Sequence, residues 1–238
     1  MKRLTRNFND RVFAEYYMNR HRKTARRIGR QYAAKLLDRG FSSGRILDAG
    51  CGFGGMAVEV AALLPEADIT GIDVSGPLLH HALESVTARE SVTALESVIA
   101  SGNGCGMPDN TGTSIGQRVR FEEMNVEHIR FDDNSFDVVL CIALVHLVDD
   151  PIAMLGEIDR VLKPDGLLFI SDLRRSWLGL FEHEVKSALK YEEAVELLQR
   201  ARLRAGSFSS DPLWWRYVSE GPSADQQKKR DDTCHVGT

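Results

Sequence analysis

The chain has 238 residues, 43% of them hydrophobic, enough to bury one full core and short for two domains. A formal net charge of -4 and a pI near 6.0 exclude a chain built around nonspecific nucleic-acid binding. No stretch approaches the roughly 18 apolar residues of a membrane span, and no apolar signal core follows Met1-Lys2-Arg3, so a cytoplasmic location is the default expectation.

Residues 8–39 place Phe13, Tyr16, Tyr17, Ile28, Tyr32, Leu36 and Leu37 near helical spacing. They predict an N-terminal helical cap over residues 1–43, in two pieces, that stops at Gly40. The pattern then alternates. Strands are expected at 46–47, 68–72, 119–124, 136–142 and 167–171, and helices at 56–64, from Pro77 onward and at 152–162. Val138-Val139-Leu140 is an unbroken apolar run, which marks a strand buried on both faces. Lys163-Pro164-Asp165-Gly166 is a turn, residues 177–189 a cover element, 191–203 an amphipathic helix, and 204–210 and 213–219 two closing strands. Alternating strands and helices require right-handed crossovers. The expected fold is therefore α/β, a doubly wound, seven-stranded, mostly parallel sheet with an antiparallel terminal hairpin, in one domain over residues 1–220. The polar residues 221–238 are expected to be a disordered tail.

One segment departs from a minimal alternating domain. A hexad recurs from Glu84, as Glu84-Ser85-Val86-Thr87-Ala88-Arg89, Glu90-Ser91-Val92-Thr93-Ala94-Leu95 and Glu96-Ser97-Val98. A period of six turns a helix by about 600°, so successive copies share no apolar stripe. Residues 85–116 are expected to be a repeat-containing insertion or loop, a tandem duplication that extends a helix or a loop and not a solenoid. The nucleotide-loop mimic Gly102-Asn103-Gly104-Cys105-Gly106 follows no strand and reads as a connector.

The chemistry concentrates in Ile46-Leu47-Asp48-Ala49-Gly50-Cys51-Gly52-Phe53-Gly54-Gly55: a strand, an acid, then glycines at alternate positions. Such a turn lets backbone pass close to a small molecule. About twenty residues on, Ile69-Thr70-Gly71-Ile72-Asp73 ends in a second acid, at the spacing that holds ribose hydroxyls. Two carboxylates bracketing one glycine turn describe a nucleoside site.

Residues 46–55 resemble the first motif of the class I S-adenosylmethionine-dependent methyltransferases, and the resemblance extends over residues 44–172. Ile69-Thr70-Gly71-Ile72-Asp73-Val74-Ser75 is similar to that family's second motif; Phe131-Asp132-Asp133-Asn134-Ser135-Phe136-Asp137-Val138-Val139 resembles the entry into the fourth strand, and residues 155–167 resemble the helix and turn before the fifth. The pattern looks closest to the small-molecule, quinone-biosynthesis-like branch. The resemblance implies a Rossmann-like methyltransferase fold and S-adenosylmethionine as cofactor, with S-adenosylhomocysteine as product. It places the ribose on Asp73 and the amino-acid end of the cofactor near Asp48, Gly50, Cys51, Gly52 and Gly54. Val74 would line the adenine slot, Asn125 and Val126 would read the adenine with Glu127 as a competitor, and Cys141 with Ile142 and Ala143 would floor the sulfonium. An acid beside the turn suits an ammonium better than a pyrophosphate, which separates this reading from a nicotinamide dehydrogenase.

Methyl transfer to a good nucleophile needs no charged catalytic group. His146, after the fourth strand, is the candidate base for a hydroxyl or carbon acid; the plainer reading is a histidine that orients the Asp149-Asp150-Pro151 turn. Tyr17, His21 and Trp177 are candidates for the acceptor pocket, against simple core packing. The basic run Arg22, Lys23, Arg26, Arg27 and Arg30 reads as a solvated helix face, or as a patch for an RNA, protein or anionic substrate. Cys51, Cys105, Cys141 and Cys234 form no CxxC or zinc-ligand spacing, so neither a disulfide framework nor a metal is indicated. The expected enzyme methylates oxygen, carbon or nitrogen of a small molecule. A noncatalytic cofactor-binding module is the remaining alternative.

Overall fold

The computed structural model of the protein describes residues 8–100, 113–175 and 188–220. Helix α1 (Arg11–Leu37) is N-capped by Asp10, whose carboxylate accepts the Phe13 N–H at 2.9 Å. It is one helix, not the two pieces expected. Gly29 does not break it, because a Cβ there would stand 2.8 Å from both Glu59 Cβ and Met56 O; the glycine lets α1 lie directly on α2 (Gly55–Leu63).

The remaining elements are β1 (Ser43–Ala49), β2 (Glu66–Asp73), α3 (Gly76–Ala100), α4 (Ile115–Arg118), β3 (Val119–Glu123), β4 (Phe136–Ile142), α5 (Pro151–Val161), β5 (Leu162–Leu173), α6 (Tyr191–Arg200), β6 (Gly206–Ser210) and β7 (Trp214–Ser219). Among the described residues the sheet has seven strands in the order β3-β2-β1-β4-β5-β7-β6. β3, β2, β1, β4 and β5 run parallel, and β7 pairs antiparallel with both β5 and β6. The turn at residues 163–166 survives as a register shift, since Phe136 pairs with Leu162 but Val138 with Leu167. Strand order reverses between β1 and β4, which opens a crevice at the carboxyl ends of those two strands.

Period-two alternation splits each buried strand between two cores. Ile46, Val138, Leu140 and Phe169 pack with Tyr32, Leu36 and Val60 from α1 and α2. Leu47, Val139, Cys141 and Ile170 pack with Met154, Leu155 and Leu197 from α5 and α6, and with Trp215. The repeat from Glu84 is helical up to Ala100, within α3, so of the two expected forms it extends the helix and not the loop. Residues 101–112, 177–187 and 221–238, which carry the expected connector, most of the cover element and the tail, lie outside the described residues. Arg118 reaches back under α2, donating to the carbonyls of Ala61, Leu64 and Ala67 at 3.0–3.2 Å. Among the described residues no helix is long and apolar enough to cross a membrane.

Candidate functional site

The turn after β1 needs three left-handed residues, and Gly50, Gly52 and Gly54 supply them with φ of 74°, 54° and 70°. Their surroundings differ. A Cβ on Gly54 would stand 2.6 Å from Phe121 Cζ and 2.8 Å from Ala82 Cβ, so this glycine serves helix and sheet packing and does not line the cavity. A Cβ on Gly52 would meet nothing within 4 Å; that side of the turn faces open space.

Asp73, at the end of β2, joins two turns. Its Oδ2 accepts the Gly52 N–H and its Oδ1 the Ser75 N–H, both at 2.9 Å. Burial raises its carboxyl above the usual range, and these backbone donors oppose the rise. Asp48 lacks such help. It is 1% exposed, and its Oδ2 has no hydrogen-bond partner. Burial, with the Asp73 charge beside it, pushes the Asp48 carboxyl up to about 8. The same causes hold the Cys51 thiol well above its ordinary value, which disfavours the thiolate that a nucleophile needs.

A cavity of about 560 Å³ lies over this turn. Asp48, Gly50, Cys51, Gly52, Asp73 and Val74 line one part of it, and Asn125, Val126 and Glu127 another. Asn125 Oδ1 accepts the Glu127 N–H at 2.9 Å, so one lone pair of the oxygen expected to read adenine is engaged. Glu127 Oε1 accepts the N–H groups of Asp149 and Asp150 at 2.9 and 2.8 Å; Glu127, not His146, orients that turn. Tyr17 and His21 of α1 close the cavity from above, their rings 4.4 Å apart, and Phe8 is held over it by Ser75 Oγ, which donates to its carbonyl at 2.6 Å.

Cys141 is fully buried in the core on the α5 side, whereas Ile142, the next residue of β4, and Ala143, past the end of the strand, line the cavity. Trp177 lies outside the described residues. Trp214 lines the cavity, whereas Trp215 is fully buried.

His146 is in the cavity wall, 4% exposed, and its partner was not anticipated. Asp172 Oδ1 is 2.6 Å from His146 Nδ1, and Oδ2 accepts the His146 backbone N–H at 2.9 Å. The turn that allows this passes through Ala143, at φ 57°, whose N–H reaches Ser171 O at 2.7 Å. A carboxylate at Asp172 only accepts, so in a neutral His146 ring the proton sits on Nδ1 and Nε2 is the acceptor. The signal available in sequence was an acid at the carboxyl end of a parallel strand, the same signal that marked Asp48 and Asp73.

The profile of the family described as "Methyltransferase domain" matches residues 47–170, just over half of the chain. The ubiquinone/menaquinone biosynthesis C-methyltransferase of Geotalea daltonii is 30% identical over 158 residues, covering 66% of this chain and 57% of that protein. The ubiquinone biosynthesis O-methyltransferase of Haemophilus ducreyi is 29% identical over 132 residues, covering 56% and 46%. The chain thus spans about half the length of the curated relatives it matches. A putative S-adenosyl-L-methionine-dependent methyltransferase from Methanococcus maripaludis has the same fold, with a TM-score of 0.66 at 17% identity over 94% of this chain and 98% of that one. Strand order, turn and family match agree: the chain belongs to the methyltransferase-domain family, with the class I Rossmann-like architecture.

Proposed function

We propose that this chain transfers the methyl group of S-adenosylmethionine to a small-molecule acceptor, with His146 taking a proton from the acceptor. The observation that carries the reading is Asp48, a nearly sealed carboxylate with an unpaired oxygen, beside a second carboxylate on the wall of a cavity. Such a pair is costly unless a cation joins it. The residues fit the cofactor: its ammonium or sulfonium answers Asp48, its ribose hydroxyls fit the free lone pairs of Asp73, and the open side of Gly52 admits its close approach. A pyrophosphate would face the same two acids unfavourably.

When bound, S-adenosylmethionine supplies an electrophilic methyl group. The chain's own part is to bind, orient and accept a proton. Asp73 fixes the turn while offering its remaining lone pairs, and Val74 and Val126 give apolar walls for a purine. Tyr17 and His21 exclude water from above. Asp172 holds His146 with Nε2 as the free base, suited to a hydroxyl or a carbon acid whose proton must leave. The small-molecule reading is supported by two ubiquinone-biosynthesis relatives and by the apolar remainder of the wall, Leu144, Leu147 and Leu173.

Titration calorimetry with S-adenosylhomocysteine tests the cofactor. Binding that is lost in the double variant Asp73→Ala and Gly52→Val supports the proposal; unchanged affinity sinks it. Thermal shift with NAD is the counter-test, since a dehydrogenase would be stabilised by NAD and not by S-adenosylhomocysteine.

A further inference from the structure

Helix α1 presents two unlike faces. Tyr17, His21, Thr24, Ala25 and Ile28 face the cavity. At 100° per residue, Val12, Tyr16, Arg20, Lys23, Arg27 and Arg30 fall on the opposite side within an arc of about 80°, along about 27 Å of helix. All six are exposed. Arg22 and Arg26 flank them, and α1 contains no acid after Glu15. Glu59 of α2 pairs with two of these cations, Arg26 at 3.6 Å and Arg30 at 3.4 Å. Lys23, Arg26, Arg27 and Arg30 also line a shallow groove in the surface.

The stripe is unusual for this chain. Arg20, Arg22, Lys23, Arg26, Arg27 and Arg30 are six of its 30 cations; the remaining 24 face 34 acids, a net charge of -10 for the rest of the protein. A stripe of that sign on an acidic body attracts an anionic partner along one line and repels it elsewhere. A long nucleic-acid strand would run off the stripe onto the acidic body, and among the described residues this face offers one exposed ring, Tyr16 at its end, where stacking successive bases takes several. Instead the line continues into Val12, 77% exposed, and Tyr16, 59% exposed. An apolar and aromatic end followed by a row of cations suits a helix lying on anionic headgroups.

We propose that the outer face of α1 docks this protein on an anionic lipid surface, with Arg20, Lys23, Arg27 and Arg30 on the phosphates and Val12 and Tyr16 at the headgroup boundary. The docking is independent of the methyl-transfer reading, and its test needs no turnover. The full chain is sedimented with vesicles of phosphatidylglycerol mixed into phosphatidylcholine, and with phosphatidylcholine alone. Binding only to the mixed vesicles, released by high salt, is expected. The triple variant Arg20→Gln, Lys23→Gln, Arg27→Gln loses about 100-fold in partitioning, about fivefold per cation. It keeps its affinity for S-adenosylhomocysteine, since none of the three lines the cavity. Equal binding to both vesicle types, or to neither, overturns the proposal. So does a labelled RNA oligonucleotide that binds the wild-type chain and displaces it from the mixed vesicles.

Discussion

Replacing Asp48 by Asn is expected to stabilise the free protein and cripple it as a binder. In the folded chain the Asp48 carboxyl is pushed up to about 8 from an ordinary value of 3.8. A carboxyl with a raised folded-state value takes up a proton on folding, so its cost is absent below pH 4 and grows as pH rises toward 8. At about 1.4 kcal/mol per pH unit, the roughly three units between 3.8 and 7 come to about 4 kcal/mol. That is a ceiling, because water in the adjoining cavity relieves part of it. Asn matches the protonated side chain in shape and needs no proton, so the variant escapes this cost. For a chain of this size each kcal/mol moves Tm by about 2–4 °C, which predicts a gain of up to roughly 8–16 °C at pH 7 that shrinks toward zero near pH 4. Calorimetric scans of both proteins at several pH values read this directly. The same variant loses the charge that answers the ligand's ammonium, worth about 1.5–3 kcal/mol, or about 10- to 100-fold in affinity for S-adenosylhomocysteine. A Tm difference that does not change with pH, or an Asn variant that binds as tightly as wild type, would refute the reasoning.

The wild-type protein should release a large fraction of one proton on binding S-adenosylhomocysteine near pH 7, falling away above about 8 and below about 6, because a cationic ligand selects the ionised form of Asp48 and a gain of about 10- to 100-fold lowers its carboxyl by about one to two pH units; calorimetry in two buffers of unlike ionisation enthalpy measures it. Gly52→Ala should cost about 1–2 kcal/mol through its left-handed backbone and weaken binding tenfold or more, since its methyl enters the cavity, as paired melting and binding curves will show. His146→Ala and Asp172→Asn should each slow methylation of a hydroxyl acceptor by about 100-fold or more at saturating substrate, with little change in S-adenosylhomocysteine affinity; a wild-type rate rules out an essential base. Arg118→Met strands three buried carbonyls around the end of α2 and should cost about 3 kcal/mol, read as a drop in Tm with the cofactor affinity preserved.

What was legible in the sequence was local. β1 and its glycine turn carry their own signature, because left-handed backbone demands glycine and a parallel strand ends where the ligand begins. What was not legible depended on long-range contact. Gly29 is a poor helix former whose place in α1 makes sense only once α2 is seen packed on it, and Gly54 reads as ligand-facing until Phe121 and Ala82 are seen against it. Cys141 packs into the α5 core while Ile142 lines the cavity: β4 is buried on both faces, so composition does not reveal which of its side chains face which side. Asp172 stands 26 residues from His146, and only the adjacency of β4 and β5 brings them together. The repeat of α3 lacks an apolar stripe, as its period requires, yet its alanines, glutamates and arginine are good helix formers and carry the helix to Ala100.

The central claim is that the Asp48, Gly52 and Asp73 cavity holds S-adenosylmethionine. Its most direct test is a calorimetric titration of the full chain with S-adenosylhomocysteine, alongside the Gly52→Val, Asp73→Ala double variant. Saturable binding at one site per chain, abolished in the double variant, is the predicted result. No binding to the wild-type chain, or equal binding to both proteins, would contradict it.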